Sequence, residues 1–343
     1  MVADTVLVTG CAGFIGSSLV DHLHRQFPQA HIIGLDLLTY AGSITSVPDE
    51  VFCSERFEFW HGDVGNPDLV EELVARSDVV IHLAAETHVS RSIHASRYFL
   101  ETDAIGTQSV ANAVVKHRDK VRLLAHMSTC EVYGTALRPA MDEEHPLSPM
   151  SPYAAAKCAA DRLASSYFHT FGVPVVILRP FNNYGPRQHL EKLVPRMIAS
   201  CLRGEPLTVH GDGRATRDWM HVRDLCEAIG LVLQAPPERL VGQVLNLGAS
   251  DERSVLDVAR TVRGTLGADV PIVHVEDRPG QVQRHTCDAT KARQLLGWEA
   301  GTPFADGLKS TIAWYQEHED WWQRQVRVCR VPVTVAGGRK EWH

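Results

Sequence analysis

Residues 5–16 have the sequence Thr-Val-Leu-Val-Thr-Gly-Cys-Ala-Gly-Phe-Ile-Gly, and this stretch decides the fold. The first five residues are apolar or β-branched and predict a buried strand, and the amphipathic run 17–25 predicts a helix. Glycines with G-x-x-G-x-x-G spacing in such a turn let the backbone approach a pyrophosphate, which the free N–H groups at the helix start bind. We therefore expect a dinucleotide to lie against Gly10, Gly13, Phe14, Ile15 and Gly16.

The second strand carries the residue that selects the dinucleotide. Residues 31–35 form another largely apolar run that ends in Asp36, twenty residues after Gly16. A carboxylate at this place accepts a hydrogen bond from a ribose 2′-hydroxyl and repels a 2′-phosphate. The pattern therefore predicts NAD, in preference to NADP, as the cofactor.

Strands and helices alternate along the first half of the chain. Strands are predicted at 5–9, 31–36, 57–61, 79–83, 123–128 and 175–179. Helices are predicted between them, including 66–75, 101–116 and 152–171. This βαβ alternation predicts an α/β fold built on a doubly wound parallel Rossmann sheet.

Beyond residue 180 the pattern of elements changes. Glycine, proline and arginine become frequent at 182–187, 211–217 and 277–280, and the elements shorten. We predict an NAD-binding Rossmann domain at 1–180, to which some later segments return, and a smaller C-terminal substrate-binding lobe at 181–325. Late helices are expected at 254–264, 289–297 and 304–314. Residues 326–343 are expected to be a tail.

Composition excludes several classes of protein. The chain has 343 residues, 44% of them hydrophobic, and a net charge of −7, which disfavours nucleic acid as a partner. No run reaches the roughly 18 apolar residues of a membrane helix, and we expect no signal peptide at the N-terminus. Eight cysteines without metal-ligand spacing predict free thiols of a cytoplasmic protein and no metal site.

Two segments in the middle of the chain carry candidate catalytic groups, 128–134 (Ser-Thr-Cys-Glu-Val-Tyr-Gly) and 153–157 (Tyr-Ala-Ala-Ala-Lys). Residues four apart on a helix share a face, so Tyr153 and Lys157 project together. An ammonium group and an oxidised nicotinamide both stabilise a phenolate. Tyr153 is therefore a candidate base for a substrate hydroxyl whose carbon loses hydride. Thr129 is placed to hydrogen-bond the same hydroxyl.

Together these motifs resemble the extended short-chain dehydrogenase/reductase superfamily and, within it, the nucleotide-sugar 4,6-dehydratases of the dTDP-glucose type. The resemblance covers nearly the whole chain. Beyond the segments above it includes 38–42, 82–89, 91–93, 151–152, 182–186 (Asn-Asn-Tyr-Gly-Pro), 191–193, 217–219 and 277–280 (Asp-Arg-Pro-Gly). It implies a lyase that converts a nucleotide-diphosphate hexose into its 4-keto-6-deoxy form and retains its NAD throughout.

The resemblance also implies the catalytic steps. Tyr153 takes the proton of the sugar's 4-hydroxyl while hydride moves from C4 to NAD. Glu131 then removes the C5 proton, water leaves from C6, and the hydride returns to C6. The dehydratases have Asp at the position of Cys130, where it protonates the departing hydroxyl. Cys130 is therefore either a replacement acid or a residue that only packs beside the cofactor.

Cys130 leaves other outcomes open. In UDP-glucuronate decarboxylases the matching segment resembles Ser-Thr-Ser-Glu. In certain 4-epimerases it resembles Ser-Thr-Cys followed by a small residue instead of Glu. The same C4 oxidation can therefore end in decarboxylation, in epimerisation or in a 5,6-dehydration. A non-enzymatic NAD-sensing protein is a further alternative. It is a remote one, because the candidate catalytic residues Thr129, Tyr153 and Lys157 are all intact.

Further contacts follow from the resemblance alone. Asp63 matches a residue at the adenine edge, and Thr87 and Ser92 lie on the loop where nicotinamide and sugar meet. Lysine and arginine side chains suit phosphate oxygens. Contacts to the nucleotide sugar are expected from Asn182, Glu191, Lys192, Arg217 and Arg278.

The resemblance finally implies a homodimer joined by a four-helix bundle. Each subunit would contribute the predicted helices 101–116 and 152–171. We expect their interface to consist of apolar residues that sheet packing does not use, namely Val110, Val114, Leu163 and Tyr167.

Overall fold

The computed structural model describes residues 5–277 and 279–326, and the backbone of 332–334 and 340–342. Its strands are β1 (Thr5–Thr9), β2 (His31–Asp36), β3 (Phe57–His61), β4 (Val79–His82), β5 (Leu123–Met127), β6 (Val175–Pro180), β7 (Asn182–Tyr184), β8 (Leu207–His210), β9 (Thr216–His221), β10 (Val244–Leu247), β11 (Glu252–Ser254), β12 (Ile272–Val275), β13 (Pro332–Thr334) and β14 (Lys340–Trp342).

The α-helices are α1 (Phe14–Gln26), α2 (Asp49–Phe52), α3 (Pro67–Ala75), α4 (Val89–His94), α5 (Ser96–Phe99), α6 (Gly106–Lys116), α7 (Pro152–Phe171), α8 (Leu193–Leu202), α9 (Val222–Gln234), α10 (Pro237–Leu240), α11 (Val255–Leu266), α12 (Thr290–Leu296), α13 (Phe304–Glu317) and α14 (Glu319–Gln323). Within the described ranges, no helix is both long enough and apolar enough to span a membrane.

A parallel sheet with the strand order β10-β6-β5-β4-β1-β2-β3 forms the centre of the molecule. In its register, Leu7 lies opposite Ile33 on one side and Val80 on the other. The predicted doubly wound parallel sheet is confirmed, and the six predicted strands end within one residue of their expected positions. The strand that the sequence did not reveal is β10, which comes from the second half of the chain and pairs with β6.

Hydrophobic cores cover both faces of this sheet. Successive side chains of a strand point to opposite faces, so Val6 and Val8 pack on α1 and α9, while Leu7 packs on α3, α6 and α7. Burial on both sides explains why the strands are nearly continuous apolar runs. The carboxyl ends of the parallel strands are left free at one edge, where this fold binds its ligands.

A third core holds together the second lobe. It joins α8, α11 and α13 around Trp219 and Phe304. Two small sheets, with the orders β11-β9-β7 and β12-β8, accompany these helices. Segments of the range 181–325 divide between the lobes, because β10 and α9 return to the central sheet. Within the expected tail, β13 and β14 pair as antiparallel strands.

The expected interface residues lie inside the subunit instead. Val110, Val114 and Tyr167 are buried in the core between the helices and the sheet, and Leu163 packs against that core. The prediction for these side chains was wrong because α6 and α7 use this apolar face to cover the sheet. The predicted helix 101–116 also begins with a π-helical turn, Leu100–Ile105, in which Leu100 and Ile105 are 46% and 51% exposed.

Candidate active site

The turn between β1 and α1 forms a cradle that only glycines fit. Gly10 has a φ of +71°, and a Cβ there would lie 2.8 Å from the backbone nitrogen of Ala84. A Cβ at Gly16 would overlap the carbonyl oxygen of Gly10, so the third residue of α1 must be a glycine for the helix to pass this close to the turn. Gly13 precedes α1 and makes no side-chain cap, which leaves the first-turn N–H groups for a ligand. The cradle therefore suits a pyrophosphate.

Asp36 completes this end of the site. It is 9% exposed at the end of β2. Its carboxylate accepts hydrogen bonds from the backbone N–H groups of Ala12, at 2.9 Å, and Leu38, at 2.8 Å. Burial raises its pKa, and the two hydrogen bonds oppose that shift. These bonds hold the carboxylate beside the glycine cradle, where a ribose would lie.

A cavity of about 440 Å³ runs from the cradle across the sheet edge to the second lobe. Most predicted site residues line it. They are Gly10, Gly13, Phe14, Ile15, Gly16, Asp36, Asp63, Thr87, Thr129, Cys130, Glu131, Tyr153, Lys157, Asn182, Glu191, Lys192 and Arg217. Residues from both halves of the chain therefore meet in one cavity, of the size that small-molecule sites have.

Tyr153 and Lys157 lie one turn apart near the start of α7, where the side chain of Ser151 caps the helix. Lys157 is buried and donates a 2.7 Å hydrogen bond from Nζ to the carbonyl oxygen of Met127. Burial lowers its pKa, against the opposing charges of Asp103 and Asp161. Burial also raises the pKa of Tyr153, so a further positive charge is needed to make its phenolate accessible.

Thr129, Cys130 and Glu131 enter the cavity from the end of β5. Thr129 caps a short 3₁₀ turn, Cys130–Tyr133, and its hydroxyl accepts a hydrogen bond from the N–H of Glu131. A hydrogen bond between Thr129 and Tyr153 partly opposes the rise in the tyrosine's pKa. The turn thus fixes a hydroxyl and a carboxylate on either side of Cys130, close to Tyr153.

Cys130 is almost completely buried beside a histidine that the motifs did not include. Its Sγ lies 3.6 Å from Nδ1 of His285, and the same nitrogen lies 4.0 Å from Oε1 of Glu131. Burial, followed by the charge of Glu131, raises the pKa of the Cys130 thiol well above its ordinary value. The group is therefore a neutral thiol in a dry environment.

The opposite wall of the cavity comes from the second lobe. The side-chain oxygen of Asn182 is buried and accepts no hydrogen bond from the described residues, so it is available to a ligand. Lys192 donates a 2.7 Å hydrogen bond to the carbonyl oxygen of Thr87 and lies 3.3 Å from buried Glu191. Arg217 donates to the carbonyl oxygens of Thr216 and Val282.

One predicted residue, Ser92, does not line the cavity. Ser92 is buried within α4, where its hydroxyl donates to the carbonyl oxygen of Val89. Arg278 lies outside the described residues. The sequence interpretation in turn missed Trp219, which lines the cavity with an indole N–H that has no described partner. Its position within the quoted stretch 217–219 was the available signal.

The parallel sheet, the glycine cradle and the Tyr–Lys pair together define the short-chain dehydrogenase/reductase class of protein. Residues 7–311 match the sequence profile of a family described as GDP-mannose 4,6 dehydratase. A dTDP-glucose 4,6-dehydratase from Streptomyces niveus is 41% identical over 93% of this chain and 94% of its own length. The chain belongs to the nucleotide-sugar 4,6-dehydratase family.

Solved structures agree with this assignment. A dTDP-glucose 4,6-dehydratase from Streptomyces venezuelae with NAD bound is similar, with a TM-score of 0.89 and 38% identity over 94% of this chain and 99% of its own. A UDP-glucuronic acid 4-epimerase from Bacillus cereus, in complex with UDP-glucuronic acid and NAD, has a TM-score of 0.86. It is 30% identical over 91% of this chain and 99% of its own.

Proposed function

We propose that this protein is an NAD-dependent nucleotide-diphosphate hexose 4,6-dehydratase that forms a 4-keto-6-deoxy sugar by internal redox chemistry. The observation that carries the proposal is Glu131, a carboxylate in the same cavity wall as Tyr153 and Lys157. A plain oxidation of a hydroxyl needs only the tyrosine and the lysine. The additional base is what the abstraction of a C5 proton requires.

The glycine cradle and Asp36 would hold NAD, with the pyrophosphate at the start of α1 and a ribose at the carboxylate. Relatives solved with NAD support this choice of cofactor. When bound, NAD would supply a hydride acceptor for C4 of the sugar, a hydride donor for C6 and a cationic ring that favours the phenolate of Tyr153.

Tyr153 would act as the base for the 4-hydroxyl. The ammonium of Lys157, fixed by the carbonyl oxygen of Met127, stabilises the phenolate electrostatically. Thr129, already within hydrogen-bonding reach of Tyr153, would orient the hydroxyl. The low polarity around both side chains strengthens these interactions because charges interact more strongly away from water.

Glu131 would then remove the proton from C5, which the ketone at C4 acidifies. Cys130 is the nearest candidate to protonate the hydroxyl leaving C6. A thiol with a raised pKa releases its proton only if another group stabilises the product thiolate or restores the proton at once. His285 is in contact with the thiol and meets that requirement.

The second lobe would bind the nucleotide diphosphate. Asn182, Lys192 and Arg217 line the part of the cavity away from the dinucleotide cradle. Curated relatives that act on dTDP-glucose support a nucleotide hexose as the substrate. Asp63, Thr87 and Glu191 line the same cavity, and we assign them to binding.

Product mass tests this function directly. Purified protein is incubated with dTDP-glucose, and in parallel with the UDP, GDP and CDP hexoses and with UDP-glucuronate. We expect a product lighter than its substrate by one water, without accumulation of free reduced cofactor. Tyr153→Phe should abolish hydride transfer, whereas Glu131→Gln should oxidise C4 and then stall. A product of unchanged mass indicates epimerisation, and loss of carbon dioxide from UDP-glucuronate indicates decarboxylation; either would refute the proposal.

We also propose that the protein is a cytoplasmic homodimer. The described cysteines are all free thiols, as is usual in a reducing compartment. Exposed apolar side chains at Tyr98, Leu100 and Ile105 precede α6 and flank α7. A second copy of the chain would remove these side chains from water.

A further inference from the structure

Nδ1 of His285 is shared between two groups of the active site. It lies 3.6 Å from Sγ of Cys130 and 4.0 Å from Oε1 of Glu131. His285 is fully buried, and Cys130 is 2% exposed. Bulk water therefore does not separate the imidazole from the thiol.

The tautomer of His285 follows from its second nitrogen. Nε2 lies 3.0 Å from the carbonyl oxygen of Gly134. A carbonyl oxygen only accepts hydrogen bonds, so Nε2 carries the hydrogen and Nδ1 of the neutral ring has a free lone pair. The thiol of Cys130 then donates to Nδ1. The ring is therefore oriented to exchange a proton with the sulfur and with the carboxylate.

Both lobes hold this ring in place. The backbone N–H of His285 donates to the carbonyl oxygen of Thr216 in the second lobe, at 3.1 Å. On the other side, the carbonyl oxygen of Arg284 accepts a hydrogen bond from the N–H of Ala136. The guanidinium of Arg284 forms a 2.9 Å ion pair with Glu252. Hydrogen bonds and an ion pair thus fix the backbone at both Arg284 and His285.

We propose that His285 is a positioning residue that carries a proton from Glu131 to Cys130 during each elimination, as the C6–O bond breaks. The inference rests on the proposed dehydratase function. Glu131 takes the proton from C5, the electrons of that C–H bond form the C5–C6 double bond, and the C6–O bond breaks with its electron pair on oxygen. The thiol gives its proton to that oxygen, and water leaves.

In the same step the relay resets both groups. The proton on Glu131 passes to Nδ1 of His285 and from there to the thiolate, which restores a carboxylate, a neutral imidazole and a thiol. When the hydride returns to C6, Glu131 delivers a solvent proton to C5, and Tyr153 releases its own proton to solvent. One water is lost in total, and every group of the protein ends as it began.

The electrostatics of the pair agree with this role. Burial lowers the pKa of His285 to about 4, and burial raises that of Cys130, so both groups rest in their neutral forms. Glu131 opposes the shift at His285 and favours its cation only while the carboxylate is charged. The imidazole therefore gains and loses its proton within the cycle and does not store it.

His285→Gln tests the relay, because glutamine can still donate to the carbonyl oxygen of Gly134 but has no group at Nδ1. His274→Gln is the matched control, since His274 is exposed and outside the cavity. With dTDP-glucose in single turnover, the reduced-nicotinamide band reports C4 oxidation and product mass reports water loss. We expect His285→Gln to oxidise C4 at the control rate and to lose water about 10²-fold more slowly. His285→Asn replaces it if the glutamine variant does not fold, because an asparagine amide lies near the position of Nδ1 but cannot take up a proton; it should also lose water about 10²-fold more slowly.

A double variant separates a relay from a structural role. If His285 acts through the thiol, Cys130→Ala/His285→Gln should lose water no more slowly than Cys130→Ala alone. Additive losses, an equal slowing of both steps, or control-rate water loss in His285→Gln would each overturn the relay while the dehydratase function stands. If the wild-type chain oxidises none of the nucleotide hexoses, the proposed function fails and the relay fails with it.

Discussion

At the scale of single residues, burial decides what the side chains of this site can do. A thiol in water has a pKa near 8.5, but Cys130 is enclosed and faces Glu131, and both effects favour the neutral form. The aspartate that the family resemblance implies at this position would be charged more easily. If Cys130 takes the place of that carboxylate as the acid, as we propose, proton transfer depends more on its neighbours, His285 among them.

Asp36 is expected to determine which dinucleotide binds. Asp36→Asn removes the charge that repels a 2′-phosphate and keeps the size of the side chain. We expect the wild-type protein to bind NAD at least about 10²-fold more tightly than NADP, since like charges repel strongly in a buried site. The variant should narrow that ratio, chiefly by binding NADP better, in fluorescence titrations of both dinucleotides.

The carboxylate of Asp36 also accepts two backbone hydrogen bonds, so some loss of stability accompanies the change. A thermal melt of Asp36→Asn therefore controls the titration. Comparable affinity of the wild-type protein for NAD and NADP would contradict the role of this residue.

At the scale of elements, position 16 in the first turn of α1 is expected to tolerate no side chain. Gly16→Ala places a Cβ against the carbonyl oxygen of Gly10 within the turn, where backbone cannot yield cheaply. We expect a loss of several kcal/mol in the free energy of unfolding and a loss of NAD binding. Urea unfolding and NAD titration measure the two effects.

Gly264→Ala is the matched control for that substitution. Gly264 lies in α11, and a Cβ there would meet no atom within 4 Å. Alanine should stabilise this helix by up to about 1 kcal/mol. If both variants unfold alike, close approach in the cradle does not explain the glycine at position 16.

The π-helical turn Leu100–Ile105 contains a carboxyl group that should make stability depend on pH. Burial raises the pKa of Asp103 to about 7, and its Oδ1 accepts a hydrogen bond from the N–H of Glu86. The folded state thus binds a proton that the unfolded state releases near pH 4, so stability falls as pH rises from about 4 through 7. Asp103→Asn keeps the hydrogen bond and cannot ionise.

We therefore expect Asp103→Asn to be more stable than the wild-type protein at pH 8, by about 2–4 kcal/mol, and similar to it near pH 4. The asparagine no longer stabilises the ammonium group of Lys157 by its charge, and this reduces the gain in stability. Denaturant unfolding at the two pH values measures the difference. An equal difference at both pH values would show that folding does not raise the pKa of Asp103.

Local sequence patterns predicted the helices and strands, but they did not predict contacts between residues that are distant in the sequence. The strand 5–9 and the helix 152–171 follow from a few neighbouring residues, and both have the predicted bounds. His285 is 155 residues from Cys130, and no periodicity or spacing connects the two. Val110 and Tyr167 were assigned to an interface because a helix pattern shows an apolar face but does not show what covers it.

At the scale of the whole molecule, the shape of the cavity depends on how the two lobes pack against each other, because both contribute to its lining. The segment around His285 crosses from Ala136 in the Rossmann part to Thr216 in the second lobe. The same residues therefore join the lobes and brace the proposed proton relay. Substitution in this segment is expected to affect lobe packing and chemistry together, which is why the two steps of the reaction must be measured separately.

Exposed apolar side chains also bear on whether the protein forms a dimer. Leu100 and Ile105 are about half exposed on the π-helical turn beside α7. Full burial of such a side chain contributes about 1.5–3 kcal/mol, so burial of the exposed half contributes about half of that, and in a symmetric dimer each contact occurs twice. We expect the wild-type protein to be a dimer by light scattering at micromolar concentration, and Leu100→Glu/Ile105→Glu to be a monomer. Leu137→Glu, at a loop position that is 71% exposed, should remain a dimer. A monomeric wild-type protein would refute the association, whereas a dimeric double variant would place the interface elsewhere on the surface.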